Sequence, residues 1–149
     1  MKDNQHRFLV KELATHCEVT TNAVRYYTRF GLLKPLRDPA NKYNLYNDGD
    51  AQKLKFIARA KHLGFSLSDI AKIFRDCEKG KSPCARVRKI IEQRIPENRK
   101  RLKKLLLLQE RMESALLQWD KLPDGVPDGD TICALIEGFE NGHTECDEN

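Results

Sequence analysis

Residues 20–46 decide the fold of this chain, and they read TTNAVRYYTRFGLLKPLRDPANKYNLY. The first half is typical of a short helix that Thr20 caps and Gly31 ends. Apolar residues recur at helical spacing, so one face of this helix can pack against a core. The core-facing residues are Ala23, Val24 and Tyr27. The second half, with Pro35, a turn over 38–41 and two aromatic residues, predicts a β-hairpin that forms a wing beside the helix.

The solvent-facing side of the predicted helix carries groups that suit nucleic acids. Hydroxyl and guanidinium groups donate hydrogen bonds to phosphate oxygens and base edges. A preceding helix over 8–17 would complete a helix-turn-helix, whose second helix enters the major groove. Its predicted buried side holds Leu9, Val10, Leu13 and Ala14. A plain helical hairpin is the alternative, but the wing and the basic surface favour DNA. The predicted DNA contacts are Lys11, Thr20, Thr21, Arg25, Tyr26, Arg29, Arg37, Lys42 and Tyr43.

Charge is unevenly distributed along the 149 residues, although the net charge is only +5. Residues 1–62 carry 12 Lys and Arg against 6 Asp and Glu, and residues 63–121 carry 15 against 8. Residues 122–149 carry no Lys or Arg and 8 Asp and Glu. A basic body indicates an anionic partner, whereas the acidic segment is typical of a solvated tail.

Several classes of protein are excluded by features that the sequence lacks. No apolar run approaches the roughly 18 residues that span a membrane, and residues 1–6 have no secretory signal. We therefore expect a cytoplasmic protein with no membrane partner. No nucleophile–base pair, phosphate-binding loop or pair of catalytic carboxylates is recognisable, so we do not expect an enzyme. The odd number of cysteines, five, argues against a disulfide framework, and Cys17 is interpreted as a buried packing residue.

Residues 83–121 predict one long helix with a narrow apolar stripe. Its apolar side chains follow a heptad pattern that Asn98 and Gln109 interrupt. One seam position holds Ile91, Leu105, Met112 and Trp119, and the other holds Ile95, Leu102 and Leu116. Because one chain cannot bury so narrow a stripe, the pattern favours a coiled-coil homodimer. Pro96 lies inside the helix, so we expect a kink near 93–96.

Together these features resemble the MerR family of bacterial regulators. The resemblance is carried by VRYY at 24–27, FGLL at 30–33, Tyr43 and Tyr46 in the wing, LKFI at 54–57 and LGFSLSDI at 63–70. It implies a mainly α fold in which a winged helix-turn-helix precedes a long antiparallel dimerisation helix and a short C-terminal helix. It also implies that the protein binds double-stranded promoter DNA alongside RNA polymerase and distorts an over-long spacer when an effector binds. Asn44 departs from the family pattern, which usually has Arg after the wing Tyr.

The resemblance further implies where an effector would bind. In metal-sensing members one Cys begins the long helix, and other ligands lie in the loop and short helix that follow it. Antiparallel pairing then brings these groups together from two subunits. Cys84 and Cys133 match those positions, and candidate additional ligands are Asp124, Asp128, His143 and Cys146. Thiolates favour soft or borderline ions such as Zn(II), Cd(II), Pb(II), Hg(II) or Cu(I).

Three alternatives to metal sensing stay open from the residues alone. The loop over 122–130 lacks the Cys or His that metal sensors of the family usually carry there, so Cys84 and Cys133 could be packing residues in a regulator of an organic effector. A helix N-terminus lowers the pKa of a Cys thiol, which would suit a redox sensor. An architectural DNA-binding protein without an effector would have the same fold.

The sequence thus predicts four parts. Residues 1–76 form the winged helix-turn-helix domain, 77–82 a linker and 83–121 the dimerisation helix. Residues 122–149 form an effector-binding loop, a short amphipathic helix over 131–139 and an acidic tail.

Overall fold

The computed structural model describes residues 6–140, which form helices and one two-stranded sheet. The helices are α1 (Val10–His16), α2 (Thr21–Phe30), α3 (Asp48–His62), α4 (Leu67–Glu78), α5 (Cys84–Trp119) and α6 (Ala134–Glu137). The strands are β1 (Leu36–Arg37) and β2 (Asn44–Leu45). The described chain divides into two compact units between Glu92 and Gln93, within α5. The predicted mainly α fold is confirmed.

The first unit is organised around one hydrophobic core to which α1–α4 and the wing all contribute. The side chains that are almost fully buried are Leu13, Val24, Leu33, Tyr46, Leu54, Ile57, Ile70 and Ile73. The first two turns of α5 also pack against this core through Val87, Ile90 and Ile91. Burial of a large aliphatic side chain contributes about 1.5–3 kcal/mol, so this core contributes favourably to the folding free energy of the unit.

Thr20 and Gly31 fix the two ends of α2, as the sequence predicts, and a capping box fixes the start of α4. The Thr20 hydroxyl accepts a hydrogen bond from the Ala23 amide at 3.1 Å, and Gly31 ends α2 with a φ of 93°, which glycine adopts without strain. Ser66 and Asp69 form a reciprocal capping box at the start of α4, at 3.0 and 2.8 Å.

The start of α1 differs from the prediction. Leu9 is not on the buried side but precedes the helix and is exposed, whereas Phe8 is buried. Phe8 lies in an extended segment that pairs with Tyr46, and the two residues exchange backbone hydrogen bonds of 2.8 and 2.9 Å. Because side chains alternate along an extended segment, Phe8 faces the core and Leu9 faces solvent.

The connection between α4 and α5 is shorter than the sequence indicates. Cys77 and Glu78, assigned to the linker, are the last residues of α4, and α5 begins at Cys84. Across this connection the Arg86 guanidinium makes two hydrogen bonds to the Asp76 carboxylate, at 2.6 and 3.2 Å. This bidentate ion pair joins the end of α4 to the first turn of α5.

The second unit contains the remainder of α5 and the segment that follows it. Trp119, the last residue of α5, donates from Nε1 to the carbonyl of Leu135 in α6 at 2.8 Å. Its ring also meets that of Phe139 edge-on, with 6.3 Å between the centroids. These contacts hold α6 against the end of α5.

The helix α5 continues through Pro96, and its apolar seam is exposed in the single chain. The seam residues with more than half of their surface exposed are Ile95, Leu102, Leu105, Met112 and Leu116. Between residues 6 and 140, no helix is both long enough and apolar enough to cross a membrane.

Candidate nucleic-acid interface and thiol site

The predicted DNA contacts of α2 lie on its solvent-facing side. Arg25, Tyr26 and Arg29 are exposed, Thr21 is half-buried, and Val24 on the opposite side is fully buried. Burial of Val24 therefore fixes the rotation of the helix and directs the basic side outward. The Thr20 hydroxyl is engaged as the helix cap through its oxygen, so its proton stays free to donate.

A surface groove of about 640 Å³ runs beside α2. Thr20 and Tyr26 line its α2 side, and Lys61 and Ser68 line it from α3 and α4. Lys61 and Ser68 are not among the DNA contacts that the sequence predicts. The several basic side chains of α3 indicate a basic helix in the sequence. Which of them faces the groove depends on how α3 packs.

The wing presents three predicted contacts to solvent. Arg37, Lys42 and Tyr43 are all exposed, with 61% of the Tyr43 surface accessible. β1 and β2 pair in antiparallel register, with Arg37 opposite Asn44. Arg37 also donates from Nε to the Lys42 carbonyl at 3.2 Å, so part of its guanidinium stiffens the hairpin. The remaining guanidinium nitrogens stay available for a ligand.

Lys11 and Cys17 flank the turn before α2. Lys11 is exposed on α1, as a phosphate contact requires. Cys17 is half-buried against the core, and its thiol donates to the Ala51 carbonyl at 3.7 Å. Burial raises the pKa of the Cys17 thiol, an effect that nearby Lys55 partly offsets. A thiol kept protonated is a poor nucleophile and metal ligand, which agrees with a packing role.

The two predicted thiol ligands have different surroundings. Cys84 is exposed as the first residue of α5, where the Ser82 hydroxyl accepts its amide proton at 3.4 Å. Cys133 is half-buried and stands immediately before α6. Its amide donates to the Glu137 carboxylate at 3.0 Å, and the Ile132 amide donates to the same oxygen at 3.1 Å. Glu137 therefore positions Cys133, a role that the sequence prediction missed although the spacing of four residues indicates it.

The short helix α6 differs from the predicted helix over 131–139. Cys133 has an extended backbone, so the helix starts only at Ala134, and the Glu137 carboxylate accepts from the amides of Ile132 and Cys133 ahead of it. The helix spans only Ala134–Glu137, so the expected common apolar face does not form. Leu135 and Phe139 are half-buried, while Ile132 and Ile136 are exposed.

The acidic candidates in the preceding loop are exposed, and one of them shapes the loop. An Asp128 carboxylate oxygen accepts from the amides of Asp130 and Thr131, both at 2.8 Å. Within residues 6–140, no three His, Cys, Asp or Glu side chains of one chain come together as a metal site. His143 and Cys146 lie outside the described residues.

Family comparisons agree with the geometry of the first unit. Residues 8–77 match the model of the MerR HTH family regulatory protein, and residues 51–115 match the MerR DNA-binding model. A mercuric resistance operon regulatory protein from Bacillus cereus is 32% identical over 112 residues, which cover 70% of this chain and 85% of that protein. The chain belongs to the MerR family. It is a transcriptional regulator and not an enzyme.

Further MerR relatives match over most of their length. The HTH-type transcriptional regulator ZntR of Escherichia coli K12 is 27% identical over 136 residues, which cover 91% of this chain and 94% of that protein. A crystal structure of a MerR family regulator from Bacillus cereus superposes with a TM-score of 0.60 at 29% identity, covering 81% of this chain and 88% of that chain. The match therefore includes α5 as well as the winged unit.

Proposed function

We propose that this MerR regulator binds promoter DNA as a homodimer and changes the shape of the DNA when a thiophilic metal ion binds between its subunits. The observation that carries the DNA-binding part is the basic, exposed side of α2 next to an exposed wing. Arg25 on α2 and Tyr43 on the wing are the side chains on which we place most weight. A helix in the major groove with a wing on the backbone is the arrangement that such units use.

Dimerisation is supported by the exposed seam of α5. Leu105 is 60% exposed and Met112 is 56% exposed in a single chain. A row of large apolar side chains along a charged helix favours burial against a second copy. The family resemblance implies that the two copies of α5 run antiparallel. The start of one α5 would then lie beside the end of its partner.

The proposed promoter mechanism follows from two-fold symmetry. A dimer with two winged units binds a pseudo-palindrome, and each unit contacts one half-site. Bending or untwisting the DNA between the half-sites costs several kcal/mol, which is comparable to the coupling free energy of an effector. A change in the angle between the two units could therefore switch transcription while the protein stays bound.

The thiols of this chain are suitable for a soft ion of low coordination number. In an antiparallel dimer, Cys84 of one subunit and Cys133 of the other would supply two thiolates. Bound there, the ion would link the two subunits, and carboxylates such as Asp124 could add ligands. The name of the Bacillus cereus relative connects a similar chain to mercuric resistance. Thiolate ligands favour such ions over hard cations.

Two contacts support the idea that a ligand at each thiol could affect the neighbouring helix. The Asp76–Arg86 ion pair connects the first turn of α5, which begins at Cys84, to the end of α4. Glu137 holds the backbone of Cys133, so a change at this thiol would be passed to α6. We propose that these contacts convert ligation at Cys84 into a movement of α4.

The test uses purified protein and a duplex that the wild-type protein selects from a random-sequence pool. That selected duplex is placed in the spacer of a promoter, and transcription is measured with Hg(II), Cd(II), Zn(II), Pb(II) and Cu(I). Cys84→Ser and Cys133→Ser should each keep affinity for the selected duplex and lose the metal response. Cys77→Ser, which removes an exposed thiol at the end of α4, is the matched control and should respond like wild type.

Each part of the proposal can fail separately in this design. If wild-type protein selects no sequence, the DNA-binding assignment is wrong. If both Cys variants respond fully to the metals, the thiol site is wrong. A response to an oxidant and to no metal, abolished by the same variants, would favour redox sensing.

A further inference from the structure

Lys42 has a backbone conformation that lysine rarely adopts. Its φ is 65°, in the left-handed region, and among residues 6–140 only Glu18 shares a positive φ without being glycine. A side chain with a Cβ is disfavoured in this region, whereas Gly and Asn are tolerated. When a protein keeps such a residue, a functional explanation is worth seeking.

The turn itself enforces this conformation through backbone contacts on both sides of Lys42. The Lys42 amide donates to the Asp38 carbonyl at 2.8 Å, and its carbonyl accepts from Nε of Arg37 at 3.2 Å. Side-chain oxygens of Asp38 and Asn41 secure the same turn by accepting from the amides of Ala40 and Tyr43, at 2.9 and 3.0 Å. The fold therefore requires a left-handed residue at position 42, where glycine would be favoured.

Charge gives a reason for lysine at this position. Between residues 36 and 46 the positive side chains are Arg37 and Lys42. Nε of Arg37 already donates a hydrogen bond to the Lys42 carbonyl. Asn44, opposite Arg37 in the sheet, is neutral and half-buried. Lys42 is exposed at the tip of the hairpin with its ammonium group free to reach a phosphate.

We propose that Lys42 is the wing's principal contact with the phosphate backbone of DNA. The protein keeps lysine there at the expense of folding stability. The inference rests on the proposed DNA-binding function and adds to it a specific residue and a specific compromise between stability and affinity.

Three substitutions at position 42 separate charge from backbone strain. Lys42→Gly removes both the charge and the strain. Lys42→Ala removes the charge and keeps the strain, while Lys42→Arg keeps both. Glu18→Gly is the matched control, because it relieves the other left-handed residue outside the wing. Melting temperature and affinity for the selected duplex are measured for each variant over a series of salt concentrations.

We expect Lys42→Gly to melt about 2–4 °C higher than wild type, the shift typical of a modest stabilisation in a chain of this size. Its affinity should fall about tenfold, and the slope of log K against log salt should decrease by about 1.8, or 0.9 for each subunit of the dimer. Lys42→Ala should lose the same affinity without the rise in melting temperature. Lys42→Arg should match wild type in both, and Glu18→Gly should melt higher without losing affinity.

Two results would overturn the proposal. Unchanged affinity and salt slope in both Lys42→Gly and Lys42→Ala would show that Lys42 makes no phosphate contact. A fall in the melting temperature of Lys42→Gly would show that lysine at position 42 does not lower folding stability. Arg25→Ala is measured beside them, so that failure of the Lys42 proposal can be distinguished from failure of the DNA-binding function. If it loses affinity while the Lys42 variants do not, the DNA-binding function stands and only the role of Lys42 falls.

Discussion

Tyr43 and Tyr46 stand three residues apart in the wing and have opposite environments. Tyr43 is 61% exposed, whereas Tyr46 is completely buried and its hydroxyl lies 2.8 Å from that of Thr28. The Thr28 proton is directed to the Val24 carbonyl at 2.8 Å, so Tyr46 is the donor in the pair. The family pattern contains both tyrosines, but only the structure separates the exposed one from the buried one.

Replacing Tyr46 with Phe should therefore destabilise the protein. The substitution removes a buried hydrogen bond and leaves the Thr28 oxygen without its donor, at a cost of about 1 kcal/mol. Urea unfolding monitored by circular dichroism measures the change. Tyr43→Phe is the matched control, and we expect it to leave the free energy of unfolding unchanged.

Arg25 offers the sharpest test of the orientation of α2. Arg25→Ala removes an exposed multidentate donor, and loss of a base contact should reduce affinity for the selected duplex by about 1–3 kcal/mol. Arg99→Ala, which removes the same charge from an exposed position of α5, should have little effect. If the two variants bind equally well at matched salt, the side of α2 that we assign to DNA is wrong.

At the scale of elements, α5 carries leucines on every side of one helical turn. Residues 105–108 are all leucine and all exposed, so exposure alone does not identify the dimer seam. The heptad pattern selects Leu105. Leu107 lies two positions further, on nearly the opposite side of the helix.

This geometry gives a matched pair of substitutions. Leu105→Glu would place an unpaired charge in the seam, so sedimentation should detect monomer or unfolded chain. Leu107→Glu introduces the same charge in the same turn and should remain dimeric. Dimers of equal stability in both variants would contradict the coiled-coil assignment.

The Asp76–Arg86 ion pair connects two elements and predicts a pH dependence. The hydrogen bond from Arg86, assisted by its positive charge, holds the pKa of Asp76 below its ordinary value. A group whose pKa is lowered by folding stabilises the protein above its unfolded value, about 3.9 for Asp. This contribution is lost as the pH falls through the lower pKa of the folded state.

We therefore expect Asp76→Asn to be less stable than wild type at neutral pH and equally stable in strong acid. Thermal melts across that range measure the difference, with Glu78→Gln in the same helix end as the control. The stability of Asp76→Asn and wild type could instead differ by the same amount at every pH, including the most acidic. That result would show that the charge of Asp76 does not stabilise the protein.

At the scale of the whole molecule, the second unit contains its own reporter of the thiol site. Trp119 is the only tryptophan, and it donates a hydrogen bond to Leu135, two residues after Cys133. Ligation at Cys133 should change the packing of α6 and hence the environment of the indole.

Tryptophan fluorescence can test this expectation without DNA. Addition of Zn(II) or Cd(II) to wild-type dimer should shift the Trp119 emission, and Cys133→Ser should abolish the shift. Cys17→Ser serves as the control, because that thiol packs against the core of the first unit. An equal shift in Cys133→Ser would place the metal elsewhere.

Short-range patterns in the sequence predict the helix-turn-helix, the cap at Thr20, the end of α2 at Gly31 and the family resemblance. These features depend on residues within a few positions of one another, so periodicity and capping chemistry are sufficient to predict them. The heptad of α5 is local for the same reason. The proposed metal site is not local in this sense, because its two thiols would come from two subunits.

Tertiary packing determines which of the predicted residues face solvent and which groups hold them in place. The pairing of Phe8 with Tyr46 joins residues far apart in the chain, and it reversed the expected burial of Leu9. The ion pair at Asp76 and the strained backbone of Lys42 likewise depend on neighbouring elements and on the closure of a turn. Such contacts form because the packed core brings distant groups together, and a pattern along the sequence does not record those distances.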